Sequence, residues 1–462
     1  MAKKGKSVCL DCYCYVVAYP YLPVYSDPPD DVLLQAFKDY ARENSGSGLE
    51  WQDQLVRLKQ DFNLSIGSTK LFGLRKQLGV PSVRRAAKEL HPTTLNQQVV
   101  DIKQNDTLGM WGVTQLKGRL ANQDILVPRC VRYMLVVADT LRAALRDNFD
   151  DEFEARFVGK KRSQHRSPLN ALGSWHQEHA DGHEKLGEQA LRIGKGIHLP
   201  IYGSKDQYTA WLHALLLMPN VRHRNAIAHY FLDLVEGRDY RISLQLTVDM
   251  GSEIGDMIKI HEALRLVRRD AAPLFVPSEF PFCATIPSTQ NTPIESFWRW
   301  QRNGEGKSIR FVLEDGSASG IFLPSDEIHK QTFYWIWVPF IQERLDLFRD
   351  YWNNHRIRNV KNKKNASGSS PKNMFLNPQL GRPTARDCSI RVRPQLVADL
   401  REAYGGAEAR DHAYRFVSRL FQAEADGAYV QLGCPEISLE SIWAVFTAVV
   451  AILELDALTA TQ

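Results

Sequence analysis

Hydrophobic positions recur at helical spacing through the first third of the chain. The segment DDVLLQAFKDYAREN predicts one helix within residues 1–50, and WQDQLVRLKQDF and TKLFGLRKQLG predict two short helices around the break NLSIGS. This pair, whose second helix carries Lys70, Arg75 and Lys76, is typical of a helix-turn-helix. A second unit of the same kind follows Thr93 and ends with a helix that begins at Pro128. Because helical bundles with exposed basic residues are also common in proteins that never bind DNA, the pattern alone leaves DNA binding open.

The pattern changes after RFVGKKRSQHR, a basic segment at residues 156–166 that is typical of a linker. Two apolar runs follow, divided by residues 203–206, whose Gly-Ser-Lys-Asp sequence predicts a turn. The second run, AWLHALLLMP, predicts a buried strand. Further strands are predicted in RISLQLTVDM and PFCATIPS, alternating with the helical segments RNAIAHYFLDLVEG and EIGDMIKIHEALRLVRR. This alternation predicts an α/β domain with a mixed sheet flanked by helices.

The C-terminal part of the chain is mostly helical by pattern. Residues 326–355 predict a long aromatic-rich helix, and a basic loop follows it. The last helical segment, SIWAVFTAVVAILEL, is short and ends acidic, so we expect it to be buried in a core or to face a partner, without spanning a membrane. The predicted organisation is a weakly structured segment (1–50), helix-turn-helix-like DNA-binding units (51–150), a basic linker (151–167), an α/β core (168–325), an aromatic helix and basic loop that close the core (326–375), and a C-terminal helical module (376–462).

Composition adds limits to this picture. The 462 residues are enough for two to four domains, and the net charge of +5 means that any polyanion must be bound by local basic patches. Asp11 and several cysteines interrupt the apolar N-terminal stretch, which disfavours a signal peptide. Seven cysteines, an odd number, favour a reducing compartment. Cys9, Cys12 and Cys14 lack a matching pair of ligands nearby, so free thiols are favoured over a zinc site.

Three acidic residues occupy positions from which carboxylates can meet at one end of such a sheet. Asp181 lies in a predicted strand, Asp249 ends another, and Glu295 lies in the first turn of a predicted helix. Phosphodiester chemistry uses such a cluster, because two Mg²⁺ ions about 3.5–4 Å apart stabilise the attacking and leaving oxygens. Mg²⁺ prefers oxygen ligands and retains waters, so a few carboxylates are sufficient. Three acids alone are nevertheless unspecific, because such a triple can be drawn through almost any chain.

The surrounding motifs make the pattern specific. LTVDMGSE and TQNTPIESFWRW resemble the second-acid and Glu-helix motifs of retroviral-type integrase cores, and the likeness is greatest to the integrase core-domain proteins of fungal genomes. WHQEHADGHEKL resembles the first-acid motif, GSKDQYTAWL the next strand segment, and DYWNNHRIR with SSPKNMF the segment that closes the core. The resemblance covers roughly residues 51–375. It implies a ribonuclease H-like fold, two Mg²⁺ or Mn²⁺ ions, strand transfer between the ends of a mobile element and target DNA, a homo-multimer and a nuclear location.

The resemblance also implies roles for individual residues. Asp181, Asp249 and Glu295 become the catalytic residues and metal ligands, and Gly251 permits close packing after the second acid. Residues that could contact DNA are Asn291 and Arg299 beside the Glu helix and Lys361, Lys363 and Lys364 in the basic loop, which is also a candidate nuclear-import signal. The sequence departs from the family pattern at Met250 and in the Asp-Gln-Tyr-Thr segment that begins at Asp206, and it has no His-His-Cys-Cys zinc module.

Several alternatives stay open. Asp206 is a turn residue or a fourth acid, and Glu253 is expected in the first turn of a helix. His183 is a residue that helps to position substrate or, as we expect, a solvated residue at a strand edge. His176, His179 and Cys283 do not have a metal-binding spacing. For the whole chain, an active DNA strand-transfer enzyme competes with a catalytically retired DNA-binding protein derived from a transposase, which the departures favour, and with a nuclease that hydrolyses DNA without transfer.

Overall fold

A computed structural model describes residues 28–80, 92–127, 171–184, 193–249, 251–267, 280–286, 291–360 and 364–460. The predictions for Cys9, Cys12 and Cys14, for the helix at Pro128, for the linker at 156–166 and for Met250 lie outside these residues. The helices are Asp30–Gly46 (α1), Trp51–Phe62 (α2), Ser68–Gln77 (α3), Pro92–Lys103 (α4), Val113–Asn122 (α5), Arg224–Gly237 (α6), Gly255–Val267 (α7), Thr292–Gln301 (α8), Lys307–Ala318 (α9), Glu327–Asn354 (α10), Pro371–Leu376 (α11), Pro394–Ala403 (α12), Gly406–Tyr414 (α13), Arg419–Gln431 (α14) and Ile442–Ala460 (α15). The strands are Gln177–His183 (β1), Ile201–Asp206 (β2), Leu212–Leu217 (β3), Arg241–Ile242 (β4), Gln245–Val248 (β5), Cys283–Thr285 (β6) and Ile390–Arg391 (β7).

A five-stranded mixed sheet forms the centre of the α/β domain. Its strand order is β3-β2-β1-β5-β6, with β1 in the middle. The pairs β1–β2 and β2–β3 are antiparallel, whereas β5 and β6 run parallel to β1. Helices cover both faces, so the predicted fold class, a ribonuclease H-like mixed sheet flanked by helices, is confirmed.

The sheet separates two large hydrophobic cores. One joins β2 and β3 to α8, α9, α10, α14 and α15, and the other joins β1, β2 and β5 to α6, α7 and α12. The C-terminal helices therefore pack on both cores, and β7 adds a short antiparallel pairing with β4. The apolar helix α15 buries Phe446, Val449 and Leu453. By length and composition alone, its segment Ile442–Thr459 would be long enough to cross a membrane.

The edge strand β3 is covered by side chains of α10. The Gln342 amide accepts from the Leu217 N–H (2.9 Å) and donates to the Leu215 carbonyl (3.0 Å). The Asn353 amide makes the same kind of pair with the backbone of Leu212, at 2.9 and 3.0 Å. These amides satisfy backbone groups that would otherwise template pairing with another chain.

The N-terminal helices pack against the α/β domain. Helices α2 and α3 lie where the two short helices are predicted, with Asn63 in the left-handed conformation after α2. Two buried ion pairs connect this region to the rest of the chain, because Glu305 contacts both Arg119 of α5 and Arg344 of α10. Glu305 lies in a π-helical turn at Arg302–Gly306, between α8 and α9. At a second contact the Ser370 hydroxyl donates to Glu43 Oε2 (2.6 Å).

One local prediction was wrong. Residues 203–206 belong to strand β2, and the reversal follows at residues 207–211. The strand tolerates Lys205 because its Nζ donates to the Pro293 carbonyl (2.9 Å) at the start of α8. It tolerates Asp206 because this carboxylate accepts from the Trp175 N–H (2.9 Å) and from Thr209. Both polar groups thus have the partners that burial demands.

Candidate active site

Asp181 lies near the centre of the sheet, on the polar face of β1. His179, Asp181 and His183 alternate along this face, as the two-residue period of a strand requires, and they lie beside α8. Only 8% of Asp181 is exposed. A carboxylate this deep in a domain needs either a partner or a cation.

Asp249 follows β5, the parallel neighbour of β1. The ladder pairs Gln177 with Gln245 and His179 with Thr247. The same offset, continued two residues past the end of the ladder, brings Asp249 level with Asp181. Because residues level with each other on adjacent parallel strands share a face and the strands lie about 4.8 Å apart, the carboxylates are directed to the same region. Asp249 is half-buried.

Glu295 completes the group from the first turn of α8. Its backbone N–H donates to the Asn291 carbonyl (3.1 Å), and its side chain is exposed at the rim of the sheet. Trp298, one turn further along the same helix, donates its indole N–H to Asp181 Oδ2 (2.9 Å). Residues three apart lie on the same side of a helix, so this bond holds Glu295 close to Asp181.

The electrostatics of Asp181 reflect this proximity. Burial, together with the charges of Asp249 and Glu295, raises the pKa of Asp181 to about 7, against the lowering effect of the Trp298 hydrogen bond. Close carboxylates that cannot all ionise without cost are typical of sites that bind cations.

Trp298 and His183 form a support for Asp181 that sequence reasoning missed. Trp298 is 3% exposed, and its ring stacks on the His183 imidazole with centroids 4.6 Å apart and planes 9° apart. His183 is 7% exposed, so the expectation of a solvated strand-edge residue was wrong. The available signal was the spacing in ESFWRW, where a large aromatic follows Glu295 by three positions.

A second polar cluster anchors the beginning of α8. The two ring nitrogens of His179 contact Asn291 Oδ1 and Gln207 Oε1, both at 2.7 Å, and the Asn291 amide donates to the Ala180 carbonyl at 3.4 Å. Asn291 is 1% exposed. The Asn291 side chain is therefore used inside the protein to hold α8 against β1, and its contact with DNA stays a prediction.

Two other acids lie near the predicted group or next to it in sequence. Glu253 is half-buried two residues before α7, and its carboxylate folds back into the space that Gly251 leaves by lacking a side chain. Asp206 is the last residue of β2, and its carboxylate accepts from the Trp175 N–H and from Thr209. Burial raises the pKa of Asp206 to about 6, while its bonds to Thr209 lower it.

The chemistry of the donor set suits a hard divalent cation. Within the described ranges, no group of three or more His, Cys, Asp and Glu side chains is placed so that it could hold a metal ion, and this includes Asp181, Asp249 and Glu295. Asp181 is buried, Asp249 is half-buried and Glu295 is exposed. The fit to a metal therefore rests on the chemistry of the donors, because Mg²⁺ keeps several waters and binds through one or two carboxylates together with substrate phosphate.

The basic residues predicted to contact DNA have different surroundings. Lys70, Lys76, Arg299 and Lys364 are exposed. Arg75 is half-buried and donates to Gln54 Oε1 at 3.3 Å, so part of its hydrogen-bonding capacity serves the packing of α3 on α2. Lys361 and Lys363 lie outside the described residues.

Comparison with known proteins agrees with the geometry. Residues 284–384 match the family model of the integrase core domain. The matched range contains Glu295 and helices α8 to α11, whereas Asp181 and Asp249 precede it. A search of curated proteins finds no match. Over the matched segment the chain is similar to the integrase core domain, and this match, together with the order of the sheet, supports an integrase-type family.

Proposed function

We propose that this protein is a DNA integrase or transposase that cleaves and transfers DNA strands with divalent metal ions held by Asp181, Asp249 and Glu295. The match of residues 284–384 to the integrase core domain supports an integrase-type function and DNA binding. The observation that supports the finer assignment is the parallel register of β1 and β5, which aligns Asp249 with Asp181 on the face against which α8 packs. Three carboxylates from two adjacent strands and one helix are then directed to one edge of the sheet.

The residues of the site have distinct parts in the proposed reaction. When bound, Mg²⁺ or Mn²⁺ supplies Lewis acidity to the attacking and leaving oxygens of the phosphodiester. Asp181 is the buried, oriented ligand, Asp249 the half-buried one, and Glu295 closes the site from the exposed helix face. The rigid strands and the anchored start of α8 fix the spacing between these ligands, which is what a positioned reaction requires.

Exposed basic residues supply the proposed DNA contacts. Arg299 lies one turn after Glu295 on α8, so a phosphate beside the catalytic edge is within the reach of its side chain. Lys70 and Lys76 are exposed on α3, the second helix of the helix-turn-helix pair, which is the element that enters the major groove in such motifs. The proposal includes a homo-multimer, since two element ends must be held together, and a nuclear location, since the target is chromosomal DNA.

The test is a strand-transfer assay in which the element ends need not be known. Purified protein is incubated with Mn²⁺, a supercoiled plasmid and a library of duplexes with randomised ends, and plasmid–duplex junctions are sequenced. We expect junctions with the wild type and none with Asp249→Asn, while salt-dependent DNA binding, measured by fluorescence anisotropy, is retained. Asp239→Asn, at an exposed position after α6, is the matched control and should yield junctions like the wild type.

The outcomes separate the competing functions. Equal junction numbers from Asp249→Asn and the wild type would refute the assignment of the site. Metal-dependent cleavage without joining would identify a nuclease. DNA binding without any metal-stimulated cleavage by the wild type would identify a retired DNA-binding protein.

A further inference from the structure

The contact between Trp298 and Asp181 differs from ordinary core packing. The indole N–H donates a hydrogen bond of 2.9 Å to Oδ2 of Asp181, a carboxylate of the candidate metal site that lies 117 residues away in sequence. A hydrogen bond to a charged acceptor is shorter and stronger than one between neutral groups, and it fixes the direction of the acceptor. One of the two carboxylate oxygens of Asp181 is thereby held in place.

Two neighbouring residues fix the indole itself. The His183 imidazole stacks on the ring of Trp298. On β2, Gly203 is paired with Asp181 in the sheet, and a Cβ at Gly203 would lie 2.9 Å from Cη2 of Trp298. The indole therefore occupies the space that the missing side chain leaves. Gly203 and His183 thus hold the indole in place, and the indole in turn holds the orientation of Asp181.

We propose that Trp298 is a positioning residue that orients the Asp181 carboxylate for the metal ion and favours Mg²⁺ over Ca²⁺. This inference rests on the proposed function. Mg²⁺ demands near-ideal octahedral geometry, whereas Ca²⁺ accepts six to eight ligands in flexible arrangements. A carboxylate with a fixed plane therefore serves the smaller ion, and a carboxylate that can rotate serves the larger one. Because the same indole is on the helix of Glu295, it also fixes the distance between two of the ligands.

The test removes the donor and keeps an aromatic ring. Trp298→Phe retains a ring against His183 and loses the N–H. The matched control is Trp337→Phe, because Trp337 is fully buried and its indole N–H has no hydrogen-bond partner among the described residues. Titration calorimetry with Mg²⁺ alone and with Ca²⁺ alone, on the full-length proteins, measures the dissociation constants. Thermal unfolding without metal reports the structural cost of each substitution.

We expect Trp298→Phe to weaken Mg²⁺ binding by about 10–100-fold, the usual loss on removing a group that orients a metal ligand. Ca²⁺ binding should weaken less, and Trp337→Phe should leave both constants unchanged. Equal Mg²⁺ and Ca²⁺ constants in Trp298→Phe and the wild type would overturn the inference while leaving the metal site intact. Failure of the wild type to bind Mg²⁺ would instead refute the proposed function.

A second variant keeps the inference testable if Trp298→Phe does not fold. Gly203→Ala retains the indole and pushes a methyl group against its ring. We expect a smaller loss of Mg²⁺ affinity and a shift of the Trp298 indole resonance in a ¹H–¹⁵N spectrum. If the indole resonance shifts and Mg²⁺ affinity is unchanged, the indole does not position the ligand.

Discussion

Replacing Asp181 with asparagine removes a charge that the folded protein holds at a cost. Burial, with the charges of Asp249 and Glu295, raises the pKa of Asp181 from 3.8 to about 7. A difference of about 3 between the pKa in the folded and in the unfolded chain corresponds to about 4 kcal/mol of unfolding free energy, which is the cost of ionising Asp181 in the folded protein. Since the folded chain binds this proton more tightly than the unfolded chain, stability falls as the pH rises from about 4, and the loss is complete above about pH 7.

Asp181→Asn keeps the shape of the side chain and an oxygen that can accept from Trp298. Without metal, the variant should be more stable than the wild type near pH 8, and the difference should shrink by about 2–3 kcal/mol near pH 5, where the wild-type carboxyl is largely protonated. Titrating groups that do not interact with Asp181 are common to both chains and cancel in the comparison. Urea unfolding in EDTA at the two pH values measures the difference.

Mg²⁺ provides the second half of this experiment. A saturating ion should stabilise the wild type near pH 8 by preferential binding to the folded state, and should stabilise the variant much less. The exposed Asp239→Asn variant is the control and should differ from the wild type by less than about 1 kcal/mol at both pH values. A stability difference between Asp181→Asn and the wild type that does not change with pH would refute the electrostatic argument.

Two further predictions concern the N-terminal helices. Glu305→Gln leaves Arg119 and Arg344 buried without their counter-charge, so urea unfolding should show a loss of about 3–5 kcal/mol in the free energy of unfolding. The control Glu314→Gln, on the exposed surface, should lose less than about 1 kcal/mol, and equal losses in the two variants would contradict the buried ion pairs. If α3 binds DNA phosphates, the double variant Lys70→Ala, Lys76→Ala should reduce the slope of log Kobs against log salt concentration by about 2. Fluorescence anisotropy on duplex DNA measures this slope, and an unchanged slope would exclude these contacts.

Elements with regular hydrophobic spacing could be predicted from the sequence. The apolar run of β3 and the long helix α10 lie where their patterns indicate, because burial of a continuous apolar face decides local structure. Asp249 after β5 and Glu295 in the first turn of α8 also lie where the motifs predict them. Local pattern was sufficient here because each position is defined by the element that carries it.

Features that depend on distant partners could not be predicted. Lys205 and Asp206 resemble turn residues, yet both lie in a strand because their partners are Pro293, Trp175 and Thr209, two of which are more than 30 residues away in sequence. The hydrogen bond between Asp181 and Trp298 spans 117 residues. No periodicity in one sequence reports such a contact, because periodicity describes which face is buried and not which polar groups meet there.

The location of bound metal tests the account most directly. Crystals of the wild-type protein with Mn²⁺, measured at the manganese absorption edge, show the ions by their anomalous signal. We predict anomalous peaks at the edge of the sheet between Asp181, Asp249 and Glu295, about 3.5–4 Å apart where two ions are bound, and their loss in Asp249→Asn. Saturating Mn²⁺ without a peak between these three carboxylates, or with the ions held by other residues, would contradict the account.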